Sequence, residues 1–328
     1  MLSILVSVLP VFLFLGALIF LDSYKLVPIR SVLVTILAGC VVTVPAFLLN
    51  ILALDRIGVD PLTLARYGAP VLEEALKSVY VVYLLRRKRI GFVVDAAIYG
   101  FAVGAGFSFI ENLYYLESLP DQHLLLWVSR GLGTAVMHGG TTAMFALITK
   151  SITDRASNLR LSLMLPGLGV AIVMHSFYNH FVLSPLVPTA VLLVLLPVVF
   201  HQSEKSTKKW LGVGMDTDMQ LLEMITGGDM ALTKIGQYFL TLQQQFQGEI
   251  IADMICLVRL HTELAIRAKG ILMMRSAGFE APLGPDVKEK FDELKYLQKS
   301  IGKTGQMALS PVLHMSNRDL WQIYMLGG

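Results

Sequence analysis

Cysteine is nearly absent from this 328-residue chain, which has two, Cys40 in an apolar stretch and Cys256 in a more polar one. So few and so widely spaced thiols exclude a disulfide framework and a thiolate metal centre. Charge is scarce as well, with 16% Asp, Glu, Lys and Arg against 55% hydrophobic residues and a mean hydropathy of +0.64, so an ordinary soluble enzyme is excluded. The net charge is only +3, and the single long basic run is Arg86-Arg87-Lys88-Arg89, which argues against a nucleic-acid partner. There is no H-E-x-x-H motif, and no internal repeat of the kind that marks inverted-repeat transporters.

Continuous apolar runs are what the chain has instead. A membrane-spanning helix needs roughly 20 mostly apolar residues, and seven stretches qualify, near 2–21, 31–54, 67–85, 92–116, 124–149, 161–182 and 184–200. The first lacks the basic start of a cleaved signal peptide and is read as a span. The runs are unbroken rather than alternating, so helices are expected and a β-barrel is not. The expected fold is an all-α polytopic membrane protein with about seven transmembrane helices. Arg86 to Arg89, then Lys150, Arg155 and Arg160, then Lys205, Lys208 and Lys209 follow spans three, five and seven, whereas Glu117 and Asp121 follow span four. The positive-inside rule then puts the N-terminus outside and the C-terminus in the cytoplasm of a cell-membrane protein.

Residues 201–328 hold 14 Lys/Arg and 14 Asp/Glu, against 13 and 10 in residues 1–200. Two domains are therefore expected, a transmembrane one over 1–201 and a soluble helical cytoplasmic one over 202–328. Helical spacing of Met230, Leu232, Ile235, Phe239 and Leu242, and again across 250–274, supports helices there. Gly227-Gly228 and Ala281 to Pro285 read as turns. His261 and Glu263 are assigned to a solvated helix face.

Charged groups at the bilayer centre cost about 2.5 to 3.5 kcal/mol each, so those retained face an interior and usually serve function. Span three holds Glu73, Glu74 and Lys77; span four Asp95, Glu111 and Asn112; span five Arg130 and His138; span six His175, Asn179 and His180. With a rise of 1.5 Å per residue, Glu73 and Glu74 lie about 10 Å in from the outer face, His175 about 12 Å from it, and His138 about 20 Å in. One shared site in the outer half is expected.

Glu73 and Lys77, four apart, can form a structural ion pair that leaves Glu74 about 100° away. Adjacent carboxylates in a low dielectric repel, which suits one of them to accept and donate a proton. His175 and Asn179, also four apart, can point an imidazole and an amide at one reacting carbonyl, or simply hydrogen-bond between helices. His180 is assigned to the interface, Arg130 to snorkelling or pairing with Glu111 or Glu117, and Asp95 to neutralising the basic loop. Gly100, Gly104 and Gly106 permit close helix approach.

These blocks resemble the PrsW family of intramembrane proteases, more distantly related to CAAX prenyl endopeptidases and bacteriocin-immunity membrane proteases. Glu73-Glu74-Ala75-Leu76-Lys77 is similar to an E-E-x-x-K element. The run from Asp95 through Gly100, Gly104 and Gly106 to Glu111-Asn112 resembles the longest signature. Arg130 with His138, and His175 with Asn179, complete it over about residues 65–182. Ala96, Val136 and Ser176 depart from the family's usual Gly, Pro and Gly.

The resemblance implies hydrolysis of a peptide bond in a membrane-protein substrate within the lipid bilayer, in relatives a single-span anti-sigma-type regulator. Two mechanisms use the same residues. In one, Glu73 or Glu74 activates water, Glu111 relays its proton, and His138, His175 and Asn179 polarise the carbonyl, with Lys77, Asn112, Arg130 and Asp95 in support. In the other, zinc is held by His138, His175 and Glu111. A proton-coupled transporter would spread ionisable groups through the whole bilayer, whereas the inner half holds little beyond Asp95. A non-catalytic receptor signalling through 202–328 is the third class.

Overall fold

The computed structural model describes residues 2–119, 122–154, 156, 160–227, 232–279, 282, 284–313, 321 and 325–326. Asp121, Arg155, Gly228, Met230, Ala281 and Leu283, used above, lie outside the described residues. All regular elements among the described residues are helical, and they divide into two compact units, Met1–Glu204 and Lys205–Gly328.

The first unit contains α1 (Leu2–Leu21), α2 (Ile29–Leu52), α3 (Ala69–Arg86), α4 (Val93–Ser118), α5 (Ala135–Thr153), α6 (Leu165–Asn179) and the start of α7 (Leu186–Thr226). Among the described residues five helices are long and apolar enough to cross a membrane, namely Leu2–Leu21, Ile29–Ile57, Val93–Ser118, Leu161–Asn179 and Leu186–Thr226. The chain is a multi-pass membrane protein. Two of the seven expected spans do not reach that level of apolarity. α3 carries Glu73, Glu74 and Lys77, and α5 carries His138, two glycines and Lys150, all turned inward. Their polarity lowers an average taken over the whole helix.

Burial divides the unit into centre and belt. α4 packs most extensively on α5 and α2, and the central 18-residue window of α4 is 83% buried, against 22% to 28% in the other four apolar helices. Leu13, Phe20, Leu33, Val41, Val173 and Val194 are exposed on the outer helices, as expected of side chains that face lipid. Glycine sets the central spacing. A Cβ on Gly104 would meet the His138 carbonyl oxygen at 2.1 Å, and one on Gly106 would meet that of Ile36 at 2.0 Å. The small residues of α4 thus bring α5 and α2 against it at the level where His138 emerges.

Two π-helical turns flank the C-terminal end of α2 and the start of α3, at Ala53–Ile57 and Leu64–Gly68, and a third, Ser129–Thr134, leads into α5. Span five therefore begins as a short helix, Leu124–Val128, and reaches α5 through a π turn.

In the second unit, α7 continues as one helix to Thr226 through the change of composition at residue 201. Helix continuation needs only adequate propensity, and the Lys, Glu, Leu and Met that follow supply it. α8 (Lys234–Leu242) starts later than the apolar spacing suggested because Thr233 caps it, its hydroxyl oxygen accepting from Gly236 N at 3.0 Å. α9 (Gly248–Ser276) and α10 (Val287–Ala308) bury Met254, Val258, Leu264, Leu294 and Leu297. The solvated-face assignment is corrected for His261, which is buried on α9. Its neighbour Glu263 pairs with Arg259 and Lys290.

Candidate active site

Four helix ends meet in the first unit. Glu73 and Glu74 lie in the second turn of α3, His138 in the first turn of α5, Glu111 two turns from the end of α4, and His175 in the last two turns of α6. Antiparallel neighbours bring starts and ends to one side, so residues from four separate segments share one level.

Glu74 is at the centre, 1% exposed. Its Oε1 accepts from Lys77 Nζ at 2.5 Å, from His175 Nδ1 at 2.8 Å and from Thr141 Oγ1 at 3.0 Å, and Thr142 Oγ1 lies 3.4 Å from Oε2. The expected Glu73–Lys77 pair is corrected by this geometry: Lys77 turns with Glu74 towards α5, where it also donates to His138 Nδ1 at 3.1 Å. Glu73 turns the other way, and Asn50 Nδ2 of α2 donates to its Oε1 at 3.3 Å. The two adjacent carboxylates thus have different surroundings. Glu74 is saturated by donors, and Glu73 is not.

The histidines are ordered by the same partners. A Lys77 ammonium can only donate, so Nδ1 of His138 accepts and its Nε2–H donates to Glu111 Oε2 at 3.1 Å. Glu111 is also 3.3 Å from Arg130, whose guanidinium lies 3.8 Å from the Tyr115 ring centroid and whose Nε donates to Asn112 Oδ1 at 3.0 Å. Asn112 in turn donates to the Ser7 carbonyl at 2.7 Å, tying α4 to α1. His175 gives its Nδ1–H to Glu74, which leaves the Nε2 lone pair directed towards Glu73, 4.0 Å away. The two imidazoles meet edge to face with centroids 4.8 Å apart.

Glu73, His138 and His175 offer ligand atoms all within 4.8 Å of one another. Two imidazoles and a carboxylate are a catalytic zinc donor set, and a carboxylate on the far nitrogen of a ligating histidine, as Glu74 is on His175, is the usual orienting partner. The residues fit a metal provided that it displaces the Nε2 proton His138 shares with Glu111, since Lys77 holds Nδ1. The cluster gathers Glu73 with the two histidines where Glu111 was expected, and Glu111 is bonded by His138 at 3.1 Å and paired with Arg130 at 3.3 Å.

One further expectation is corrected. Asn179 does not join His175: its amide donates to the Ala65 carbonyl at 2.8 Å, and Ser176 Oγ donates to that of Arg66 at 2.6 Å. The π turn Leu64–Gly68 exposes those carbonyls, and the end of α6 satisfies them. His180, 3.1 Å from Tyr67 Oη, belongs to the same seam. Asp95, expected to neutralise the basic loop, accepts with its Oδ2 from Phe92 N at 2.9 Å and Gly91 N at 3.0 Å, which fixes the start of α4. Asn50, Thr141 and Thr142 were not foreseen. The threonines lie three and four residues after His138, on its helix face, which is a readable signal; Asn50 gives none.

A family model described as PrsW family intramembrane metalloprotease matches residues 27–202, more than half of the chain. The chain belongs to this family. No curated protein and no solved structure matches it. As a PrsW-family member it is an intramembrane protease, and the four-helix cluster falls wholly inside the matched residues.

Proposed function

We propose that this PrsW-family chain hydrolyses a peptide bond of a single-span membrane protein, an anti-sigma-type regulator being the type of substrate, at the Glu73–His138–His175 cluster. The convergence of those three ligand atoms within 4.8 Å carries the reading. Seven spans, with α3 and α5 as the two inward-facing polar ones, put the N-terminus outside the cell membrane and residues 202–328 in the cytoplasm. The cut then falls in the outer half of the bilayer.

Zinc held by Glu73, His138 and His175 would supply Lewis acidity for water and the scissile carbonyl. Glu74 positions rather than reacts, since Lys77, His175 and Thr141 occupy its oxygens. Glu111 takes the proton of the attacking water and returns it to the leaving amine. Arg130 keeps Glu111 ionised and oriented. Asn179 supports α3 through the Leu64–Gly68 turn and acts on the reaction only through that turn.

The test is cleavage of a model single-span substrate by purified protein in liposomes. Wild type is expected to cleave, to stop with a chelator and to recover with zinc; Glu111→Gln is expected to retain zinc and lose cleavage. Unchanged cleavage by Glu73→Gln would remove the mechanism, and full activity in chelator would remove the metal.

A further inference from the structure

The second unit contains a cavity of about 500 Å³ between α7 and α9, closed at one end by Val312 and Leu313. Its size is in the range of small-molecule sites. Helical spacing builds it: Trp210, Val213, Gly214, Thr217 and Leu221 recur along one face of α7, and His261, Thr262, Ala265 and Lys269 along one face of α9.

One wall is apolar and one carries charge. Lys269 is 3% exposed, and its Nζ donates to Asp218 Oδ2 at 2.5 Å while lying 5.5 Å from the Trp210 ring centroid. An ammonium has three donors. Asp218 takes one, and a buried ammonium on a cavity wall has two more to offer there. Lys209 stands at the exposed rim. Among the described residues the lining has two lysines and one carboxylate, Asp218, a balance that favours an occupant with one negative charge. Gly214 makes room for the Lys269 side chain, since a Cβ there would meet Lys269 Cε at 2.8 Å. Val213, Leu221, Ala265 and Leu313 add apolar surface to the lining, with the indole of Trp210 as a flat wall.

We infer that this cavity is a binding site for a small organic monoanion with a flat apolar body, its carboxylate or sulfonate on Lys269 and its body against Trp210. The site lies entirely within the second unit and does not depend on the proteolytic reading.

The probe is 2-naphthoate, followed by saturation-transfer NMR on the full-length protein in nanodiscs, with empty nanodiscs subtracted. Saturable transfer to the ring protons is expected. The neutral isostere 2-naphthalenemethanol should bind roughly tenfold more weakly, as should naphthoate to Lys269→Met. Asp218→Asn removes the competing carboxylate and should tighten naphthoate severalfold, an outcome that a purely structural ion pair does not give. Thr217→Trp fills the cavity from its exposed rim, leaves the ion pair in place and should abolish binding, which decides the matter if the lysine variant does not fold. Equal affinity for acid and alcohol, or unchanged binding to Thr217→Trp, would overturn the assignment.

Discussion

Each unit buries a lysine against a carboxylate at the same distance, 2.5 Å, yet the two pairs have different surroundings. In the first unit Lys77 and Glu74 are enclosed by His138, His175, Thr141 and Thr142, so donors and acceptors come from three helices. In the second unit Lys269 and Asp218 face a cavity. Where lipid surrounds the helices no water can compensate a polar group, so a charge persists only inside a matched network. Where water is near, a pair can stand open on one side and accept something else.

The sharpest break in that comparison is Glu74→Gln. Lys77 then remains buried without its counter-charge, and we expect a loss of about 3–5 kcal/mol in stability together with loss of proteolysis. Thermal unfolding in liposomes and substrate cleavage read the two effects. If the network were merely decorative, both would stay near wild type.

Glu73→Gln tests the asymmetry between the adjacent carboxylates. Its one hydrogen-bond partner is Asn50, so the unfolding midpoint should hardly move while cleavage falls by roughly 10²–10⁴-fold. Bound zinc, counted by atomic absorption, should fall with it. A large drop in midpoint would mean that Glu73 is structural like its neighbour.

Thr141→Val removes one donor from Glu74 and is expected to cost about 1–2 kcal/mol. Cleavage should decline modestly as His175 loses some of its fixed orientation. A stable, fully active variant would show that Lys77 and His175 alone suffice.

The smallest effect is expected on α9, where Glu263 is bonded by Arg259 at 3.0 Å and Lys290 at 2.8 Å. Burial works to raise its pKa, but the hydrogen bonds from Lys290 and Arg259 outweigh it and hold the carboxyl below the ordinary glutamate value of 4.5. A lowered folded pKa contributes stability above the unfolded value, and that contribution is lost as pH falls through the folded one. Glu263→Gln should therefore cost about 0.5 kcal/mol at pH 7 and less at pH 3. Equal cost at both pH values would show that the pair is held by packing rather than charge.

Most of the architecture was legible because it follows from composition. Apolar run lengths located the helices of the first unit, and the charged residues interrupting them marked which would face inward. Of the seven expected spans, α3 and α5 are the two that lack the apolarity of a crossing helix, because the residues buried on them are polar. Glu73, Glu74, Glu111, His138 and His175 could be picked out, since burying each is costly and only a shared interior offsets the cost. Spacing misled at Lys77, where three residues and four both reach a neighbour on a helix, and the choice rests on which face meets α5. It misled at Asn179 as well, because helical periodicity does not foretell that a π turn opposite α6 needs donors.

The sequence by itself determined a polytopic helical membrane protein, its PrsW-type residues and the change of character near residue 201, all properties of local composition and spacing. Only the tertiary structure decided that Glu74 is the saturated hub and Glu73 the carboxylate with fewer donors, that Glu73 gathers with His138 and His175 while Glu111 is bonded by His138 and Arg130, and that Lys269 faces a cavity. Those distinctions depend on which helix lies across from each side chain, and no spacing along one helix carries that information.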